Sequence, residues 1–185
     1  MSYAVPGHGF STDLSYTSQS LGYEKRTELQ STCDSVSEVV KRAISNCAML
    51  AVKAQKASAQ GNEDKMDKHF GAHDQKTRDY VSRIFSSITK ECSLKPGGST
   101  TIACAPDHGG IFAGTGGNKI TLFRPFFSEP DLPKPSDQKG LSTATTIIHE
   151  MSHTTVVGQT KDNDSEGKTR NAYNYQEFAA DVFVS

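Results

Sequence analysis

The chain has 185 residues, 35% of them hydrophobic, and at about 150 residues per domain this length predicts one compact domain. Its 20 lysine and arginine residues are balanced by 21 aspartate and glutamate residues without a basic cluster, so we expect no nucleic-acid partner. No apolar stretch approaches the roughly 20 residues that a membrane span needs, so we expect no membrane partner.

The first segment of the chain, residues 1–30, is rich in serine, glycine, tyrosine and threonine without a period. This composition predicts an irregular N-terminal arm, followed by a single domain over residues 31–185. The first residues contain no basic segment followed by an apolar one, so we identify no signal peptide in this chain.

Four cysteines, an even number without a C-x-x-C pair, argue against a zinc finger and against a thioredoxin motif. They predict two disulfides and therefore a secreted, extracellular protein, whose signal peptide was removed or lies outside this sequence. The alternative is four buried free thiols in a cytosolic protein. The cysteines are Cys33, Cys47, Cys92 and Cys104.

Two long helices are predicted in the first half of the domain. From Cys33 onward, apolar residues recur at steps of three and four, with charged residues between them. They are Val36, Val40, Ile44, Cys47, Ala51 and Ala54. After a short helical piece over Asp64–Phe70, the periodicity resumes from Tyr80 to Ile88 and ends near Cys92. We expect the two long segments to pair as antiparallel helices.

Short β-prone runs separated by glycine-rich turns follow in the middle of the chain, and they predict a small mixed sheet. The runs are Thr100–Cys104, Ile111–Ala113 and Lys119–Phe123. We assign Gly114–Gly117 to a turn of a hairpin and not to a phosphate-binding loop, because Asn118 breaks the spacing that such a loop requires. A sheet flanked by helical segments makes the predicted fold class α+β.

Two further helices are predicted in the C-terminal third of the chain. Ser142 or Thr143 can cap the first one, which ends at His153. Its apolar back, which is expected to pack against the core, consists of Ile147, Ile148 and Met151. The last helix spans roughly Tyr173–Phe183.

The stretch His149–His153 reads H-E-x-x-H on the first of these two helices. A step of four residues places the two imidazoles on one face, about 6 Å apart, as two ligands of one tetrahedral zinc ion require. Glu150 projects beside them, where it can act on a water at the metal. The motif therefore predicts a zinc site with His149 and His153 as ligands and Glu150 as the catalytic residue. The alternative is two ordinary histidines on a helix.

A catalytic zinc ion needs a third protein ligand, and three downstream carboxylates compete for this role. Asp162 and Asp164 follow His153 closely, where a loop can fold back from the helix end. Glu177 begins a helical E-x-x-x-D, in which Asp181 would orient a histidine ring. Each carboxylate also has an ordinary interpretation, either in a loop turn or on the polar face of the last helix.

A second pair of histidines four residues apart, His69 and His73, is interpreted as structural or as part of the surface. Gly71 interrupts the helix between them, and no carboxylate of the right kind is near in the sequence. We assign this pair no part in metal binding.

Several short stretches between Cys33 and the C-terminus have a distinctive order and spacing. They are Ile44-Ser45-Asn46 with Leu50-Ala51, Asp64–Phe70, Thr77-Arg78 with Val81-Ser82-Arg83, Gly97–Thr101 leading to Cys104, Asp137-Gln138, Ala144–His153, and Asn171-Ala172 with Tyr175, Phe178 and Ala179. Together they resemble the deuterolysin-type zinc metalloendopeptidases of fungi, the aspzincins. The resemblance implies a zincin-like fold, Zn²⁺ as the cofactor and a protein or peptide substrate.

The third zinc ligand of that family is the aspartate of a G-T-x-D-x-x-Y-G loop, which corresponds here to Thr160-Lys161-Asp162. The resemblance therefore favours Asp162. The family's tyrosine, which stabilises the developing oxyanion, would fall at Ser165, and Tyr173 can replace it only if the loop folds it inward. A lysine-selective branch carries acidic residues on the last helix, where this chain has Tyr173 and Gln176, so no lysine selectivity is predicted.

The resemblance also implies a disulfide pairing. By analogy with the family's first bridge, Cys33 pairs with Cys104. Cys47 and Cys92, which would lie on facing helices, then remain to pair with each other.

Together, the motif and the resemblance predict a zinc metalloendopeptidase that acts as a monomer. Glu150 takes the proton of the activated water, and we expect the peptide to pair with the strand near Ile120–Phe123. The alternative is a secreted zinc-binding or host-interacting protein on a peptidase scaffold, because the family's tyrosine is missing at Ser165. A third interpretation is a disulfide-bonded structural domain with an accidental H-E-x-x-H.

Overall fold

The computed structural model describes residues 27–93, 99–135 and 140–185. The predicted N-terminal arm lies outside the described residues as far as residue 26, as do Gly97-Gly98 and Asp137-Gln138 from the stretches quoted above. The described part of the chain forms five α-helices and one four-stranded sheet. The predicted α+β fold class is confirmed.

The helices are α1 (Ser37–Gln60), α2 (Glu63–Phe70), α3 (Gln75–Glu91), α4 (Thr143–His153) and α5 (Ala172–Val184). The strands are β1 (Glu28–Leu29), β2 (Thr101–Cys104), β3 (Ala113–Gly116) and β4 (Lys119–Leu122). The helices and strands β2 and β4 lie close to their predicted positions, whereas β3 begins where the predicted run ends and β1 lies within the stretch predicted as an irregular arm. None of the described helices is both long enough and apolar enough to cross a membrane.

Helices α1 and α3 pack against each other through their apolar stripes. A 3-10 turn over Ser31–Val36 precedes α1, so the α-helix begins a few residues later than predicted. Gly61 ends α1 in the left-handed conformation, with φ at 77°, which glycine adopts without steric cost. Asp74 caps α3 by accepting a hydrogen bond from the backbone amide of Thr77.

Both predicted disulfides are present. Cys33–Cys104 joins the turn before α1 to the end of β2, and Cys47–Cys92 joins α1 to the residue that follows α3. The cysteines all lie in the described residues, and none of them is free. Because the bridges close segments of 71 and 45 residues, each restricts the unfolded chain. On a chain-entropy model, each bridge contributes about 4 kcal/mol.

The sheet is mixed, as predicted, with the strand order β1-β2-β4-β3. Strands β1, β2 and β4 run parallel, and β3 pairs antiparallel with β4 in a hairpin. The assignment of Gly114–Gly117 to a turn is wrong, because Gly114–Gly116 belongs to β3 and only Gly117-Asn118 forms the turn. Two glycines hide this strand from a sequence pattern, since glycine is rare in strands.

Helix α4 is buried along almost its whole length. The cap is Ser142, whose side chain accepts from the amide of Thr145 while the Thr145 hydroxyl accepts from the amide of Ser142. The predicted apolar back, Ile147, Ile148 and Met151, is fully buried. A Cβ atom at Gly140 would lie 2.2 Å from the Cβ of Ala180, so glycine is needed where the chain entering α4 meets α5.

Candidate metal centre

The two histidines of the H-E-x-x-H motif lie on the same face of α4. Their Nε2 atoms are 3.1 Å apart, because one helical turn separates His149 from His153. The side chains are 9% and 15% exposed, and both line the cleft beside α4. Helix geometry alone therefore brings two potential ligand atoms together.

Asp162 joins this pair from the loop that follows α4. Its Oδ1 atom lies 3.0 Å from Nε2 of His149 and 3.0 Å from Nε2 of His153. Within the described ranges, these three residues form the one group of histidine, cysteine or acidic side chains whose ligand atoms all lie within 4.8 Å. The hydrogen bond from His149, which outweighs partial burial, and the electrostatic interaction with both imidazole rings lower the pKa of Asp162. An ionised carboxylate is the form that binds a cation.

The loop reaches back because its first residues are tied to the end of α4. The hydroxyls of Ser152 and Thr160 are 2.7 Å apart, and the Thr160 amide donates to the Ser152 carbonyl at 3.2 Å. Further along, the backbones of Lys161 and Asn171 pair in an isolated bridge. The two residues before Asp162 are therefore held in place, Thr160 by the end of α4 and Lys161 by Asn171.

The Nδ1 atoms of the two histidines have different surroundings. Nδ1 of His153 lies 2.8 Å from the Thr160 carbonyl and donates to it, which leaves the lone pair of Nε2 directed at the cleft. Nδ1 of His149 is buried and has no hydrogen-bond partner in the described part of the chain. The ring of Tyr173 packs edge-on against His149, with centroids 4.5 Å apart.

Glu150 lies beside the two histidines and is 6% exposed. Its Oε2 atom accepts a hydrogen bond of 2.6 Å from the hydroxyl of Thr115 on β3. Sequence patterns do not single out Thr115, because Gly114–Gly117 reads as a turn. The signal that could have found Thr115 is the alternation with Ala113, which places both side chains on the same face of a strand.

The cluster opens into a cleft of about 930 Å³. Strand β3 and the residues before it form one wall, and the first turns of α5 form another. The residues that these two walls contribute are Ile111, Phe112, Ala113, Gly114, Thr115, Tyr173, Gln176 and Glu177. The site therefore has room for an extended ligand beside the histidines.

Tyr173, which the sequence offers in place of the tyrosine missing at Ser165, lines this cleft. Partial burial and the negative charges of Asp162 and Glu150 raise the pKa of Tyr173, so its hydroxyl lies within the field of both carboxylates. Ser165 is exposed in the loop. The aromatic ring of Tyr173 therefore lies next to the cluster, in contact with His149.

The two other candidate ligands lie elsewhere. Oδ1 of Asp164 accepts from the Asn171 amide group at 2.8 Å and from Asn174 at 3.5 Å, which ties this carboxylate to the start of α5. Glu177 lines the cleft, but its Oε2 atom lies 3.8 Å from Nδ1 of His69. Neither side chain belongs to the three-residue cluster.

Asp181 does orient a histidine ring, but the ring is that of His69 and not of the cluster. Nε2 of His69 lies 3.0 Å from Oδ2 of Asp181, which also accepts from Lys68, while Oδ1 accepts from Lys65. Burial opposes ionisation here, yet these three hydrogen bonds hold the pKa of Asp181 well below its usual value. His69 is buried and links α2 to α5, and His73 is exposed beside Asp67.

Two histidines on a helix that converge with a downstream aspartate in an open cleft are typical of the metallopeptidase class. The comparison with known families places the chain within this class. A family model described as lysine-specific metallo-endopeptidase matches residues 55–180. The chain therefore belongs to the aspzincin family, as the resemblance predicts.

Relatives of the chain are neutral proteases of fungi. A probable neutral protease 2 homolog from Arthroderma otae is 34% identical over 134 residues, which cover 69% of this chain and 35% of that protein. For a neutral protease 2 homolog from Colletotrichum graminicola the identity is 30%, covering 75% of this chain and 41% of that protein. For one from Coccidioides posadasii the identity is 27%, with 86% and 50% covered. The chain thus spans half or less of the length of these relatives.

Proposed function

We propose that this chain is a zinc-dependent metalloendopeptidase, which hydrolyses peptide bonds with Glu150 as the general base. The observation that carries the proposal is the convergence of His149, His153 and Asp162 beside a buried glutamate in an open cleft. Membership of a metallopeptidase family supports it.

The chemistry of the three side chains fits zinc. Two imidazole nitrogens and one carboxylate oxygen are ligands that catalytic zinc ions bind, at about 2.0–2.2 Å. The separations of 3.0 Å and 3.1 Å between the three atoms suit ligands of a single ion. His153 presents Nε2 in the form that binds a metal, because its Nδ1 donates to the Thr160 carbonyl. We infer that His149, His153 and Asp162 would hold the ion.

Glu150 performs the proton transfers in this proposal. Zinc, when bound, activates a water molecule and polarises the carbonyl group of the scissile bond. The Glu150 carboxylate accepts a proton from the water as the water oxygen bonds to the carbonyl carbon. Glu150 then donates this proton to the amine nitrogen as the C–N bond breaks. Its buried position beside the histidines places the carboxylate next to the metal ligands, where the water would be activated.

The substrate is proposed to pair with β3, which corrects the strand named in the sequence analysis. The predicted pairing with Ile120–Phe123 is wrong, because β4 is already bonded to β2 on one side and to β3 on the other. Strand β3 lies at the edge of the sheet and lines the cleft. An extended peptide can therefore add to this edge through its backbone, which accommodates varied sequences.

Selectivity for lysine is not part of the proposal. The first turns of α5 present Tyr173, Gln176 and Glu177 to the cleft. The first two of these side chains are neutral, and they stand at the positions where the lysine-selective branch has acidic residues. That the chain lacks lysine selectivity remains a prediction.

Tyr173 is proposed to donate a hydrogen bond to the oxygen that becomes negative in the transition state. Its ring packs on His149, and its hydroxyl has no hydrogen-bond partner within the described residues. A phenol hydroxyl is a suitable donor for this role. A tyrosine elsewhere in the sequence can supply the same hydrogen bond when its side chain reaches the oxygen.

Replacing Tyr173 with phenylalanine is expected to lower kcat by about 10²–10³-fold, the usual cost of losing one such donor. The ring contact with His149 survives this change, so the zinc affinity should stay at the wild-type value. Steady-state kinetics on a fluorogenic peptide and a zinc titration measure the two quantities. Wild-type kcat in Tyr173→Phe would exclude the role.

The proposed function is tested on purified protein by elemental analysis together with a casein digestion assay. We expect one zinc ion per chain and cleavage that a chelator stops and added zinc restores. Bound zinc without cleavage of any protein or peptide would instead support the zinc-binding or host-interacting protein. Absence of zinc from metal-replete preparations would contradict both.

The setting of this activity is also a proposal. Two disulfides suit an oxidising compartment, so we propose a secreted enzyme. That it acts as a monomer remains a prediction.

A further inference from the structure

The hydrogen bond between Thr115 and Glu150 connects the edge strand of the sheet to the proposed general base. Along β3, Ala113 and Thr115 stand opposite Leu122 and Ile120 of β4, both of which are fully buried. Alternation along the strand therefore directs Thr115 toward the same side as the core and α4, where it meets Glu150.

The geometry fixes which atoms take part. The Thr115 hydroxyl lies 2.6 Å from Oε2 of Glu150 and 3.1 Å from the Glu150 carbonyl oxygen. A hydroxyl has one hydrogen, and it donates to the nearer oxygen, which is also the charged one. No other side chain in the described part of the chain bonds to the Glu150 carboxylate.

The resulting arrangement makes the two carboxylate oxygens different. Oε2 is anchored to β3, so Oε1 is left to accept a proton. Without the anchor, the carboxylate can rotate about its last bond and turn away from the reacting atoms, because such terminal torsions are broad. An anchor of this kind lowers the entropy that must be lost when the water and the base meet.

We propose that Thr115 is a positioning residue for Glu150, which holds one carboxylate oxygen so that the other faces the water. This inference rests on the proposed function for its catalytic consequence, but the orientation of Glu150 can be observed without any activity. Because Thr115 belongs to the edge strand on which the substrate is proposed to pair, it also links the position of the base to that strand.

The decisive comparison uses Thr115→Val and Thr115→Ser. Valine keeps the shape and the β-branch but removes the donor, while serine keeps the donor. Because the carboxylate then loses the charge-assisted hydrogen bond that holds it, we expect kcat in Thr115→Val to fall about 10- to 100-fold. KM and the zinc affinity should stay at the wild-type value, and Thr115→Ser should restore most of kcat.

Thr121→Val is the matched control on the same hairpin. Thr121 stands opposite Gly114 on the other face of the sheet, so the same substitution there leaves Glu150 untouched. We expect Thr121→Val to retain the wild-type kcat. Equal losses in Thr115→Val and Thr121→Val would show a general effect on the hairpin and overturn the inference.

Crystal structures of the Thr115 variants provide the readout that does not depend on turnover. We expect the Glu150 carboxylate to leave its position in Thr115→Val and to keep it in Thr115→Ser. If Glu150 keeps its position in Thr115→Val, the inference is wrong, whatever the activity of the protein. If the wild-type protein cleaves nothing but Glu150 moves as expected, the positioning role stands and the proposed peptidase activity fails.

Discussion

Glu150→Gln is expected to retain zinc and to lose peptide hydrolysis. Glutamine has nearly the same size as glutamate and can still accept a hydrogen bond from Thr115, so the cleft should keep its shape. The amide cannot take a proton from water at neutral pH, and general-base catalysis typically contributes about 10²–10⁴-fold. We therefore expect kcat to fall by at least this factor, measured by casein digestion and with a fluorogenic peptide.

The control for this variant is Glu38→Gln, the same chemical change on the exposed surface of α1. Glu38 pairs with Lys41 at 2.8 Å, and the side chains are 81% and 50% exposed, so this pair contributes little to stability. Glu38→Gln should digest casein at the wild-type rate. Digestion at the wild-type rate by Glu150→Gln would contradict the proposed mechanism, provided that the zinc content of both variants matches that of the wild type.

The features that the sequence predicts well are those that depend on neighbouring residues. The facing imidazoles of His149 and His153 follow from a spacing of four residues on a helix, and no distant contact is needed to bring them together. The apolar stripe of α1 follows from periodicity in the same way. The disulfide pairing, by contrast, came from the resemblance, because spacing along the chain does not determine which cysteines meet.

The features that cannot be predicted from the sequence depend on contacts between distant segments. Strand β3 contains two glycines and has almost no hydrophobic pattern, and its pairing with β4 makes it a strand. For the same reason, Thr115 could not be connected with Glu150, which lies 35 residues away. The edge position of β3 is a property of the whole sheet, so the sequence pattern favours the interior strand β4 over the edge strand.

The choice among the three candidate carboxylates also depends on contacts that spacing along the chain does not determine. Spacing left Asp162, Asp164 and Glu177 open, because each lies within reach of the helix end. Only Asp162 lies in the cluster, and its placement depends on local geometry that has no periodic signal, such as the left-handed backbone of Gln159, with φ at 51°. The hydrogen bonds of Thr160 with the end of α4 then set the direction in which Asp162 leaves the turn.

Asp162→Asn is expected to weaken zinc binding more than any other amide substitution among the three candidate carboxylates. The change keeps the size of the side chain and removes the negative charge that the ion would face at the cluster. Removing a residue that only hydrogen-bonds to a metal ligand lowers the metal affinity about 10–100-fold. Removing the charge of the ligand itself should therefore lower it more than about 100-fold. Competition with a chromophoric chelator at pH 7 measures this affinity.

Asp164→Asn and Glu177→Gln complete the series, because both remove the charge of a candidate carboxylate that does not belong to the cluster. If the ion only responded to the total negative charge of this part of the protein, all three variants would lose similar affinity. The structure predicts a different result, since Asp164 is bonded to Asn171 and Glu177 lies beside His69. Zinc loss in either of these variants, together with tight binding by Asp162→Asn, would transfer the third ligand to that residue. Wild-type affinity in both, with loss confined to Asp162→Asn, would identify Asp162 as the ligand and exclude a purely electrostatic contribution.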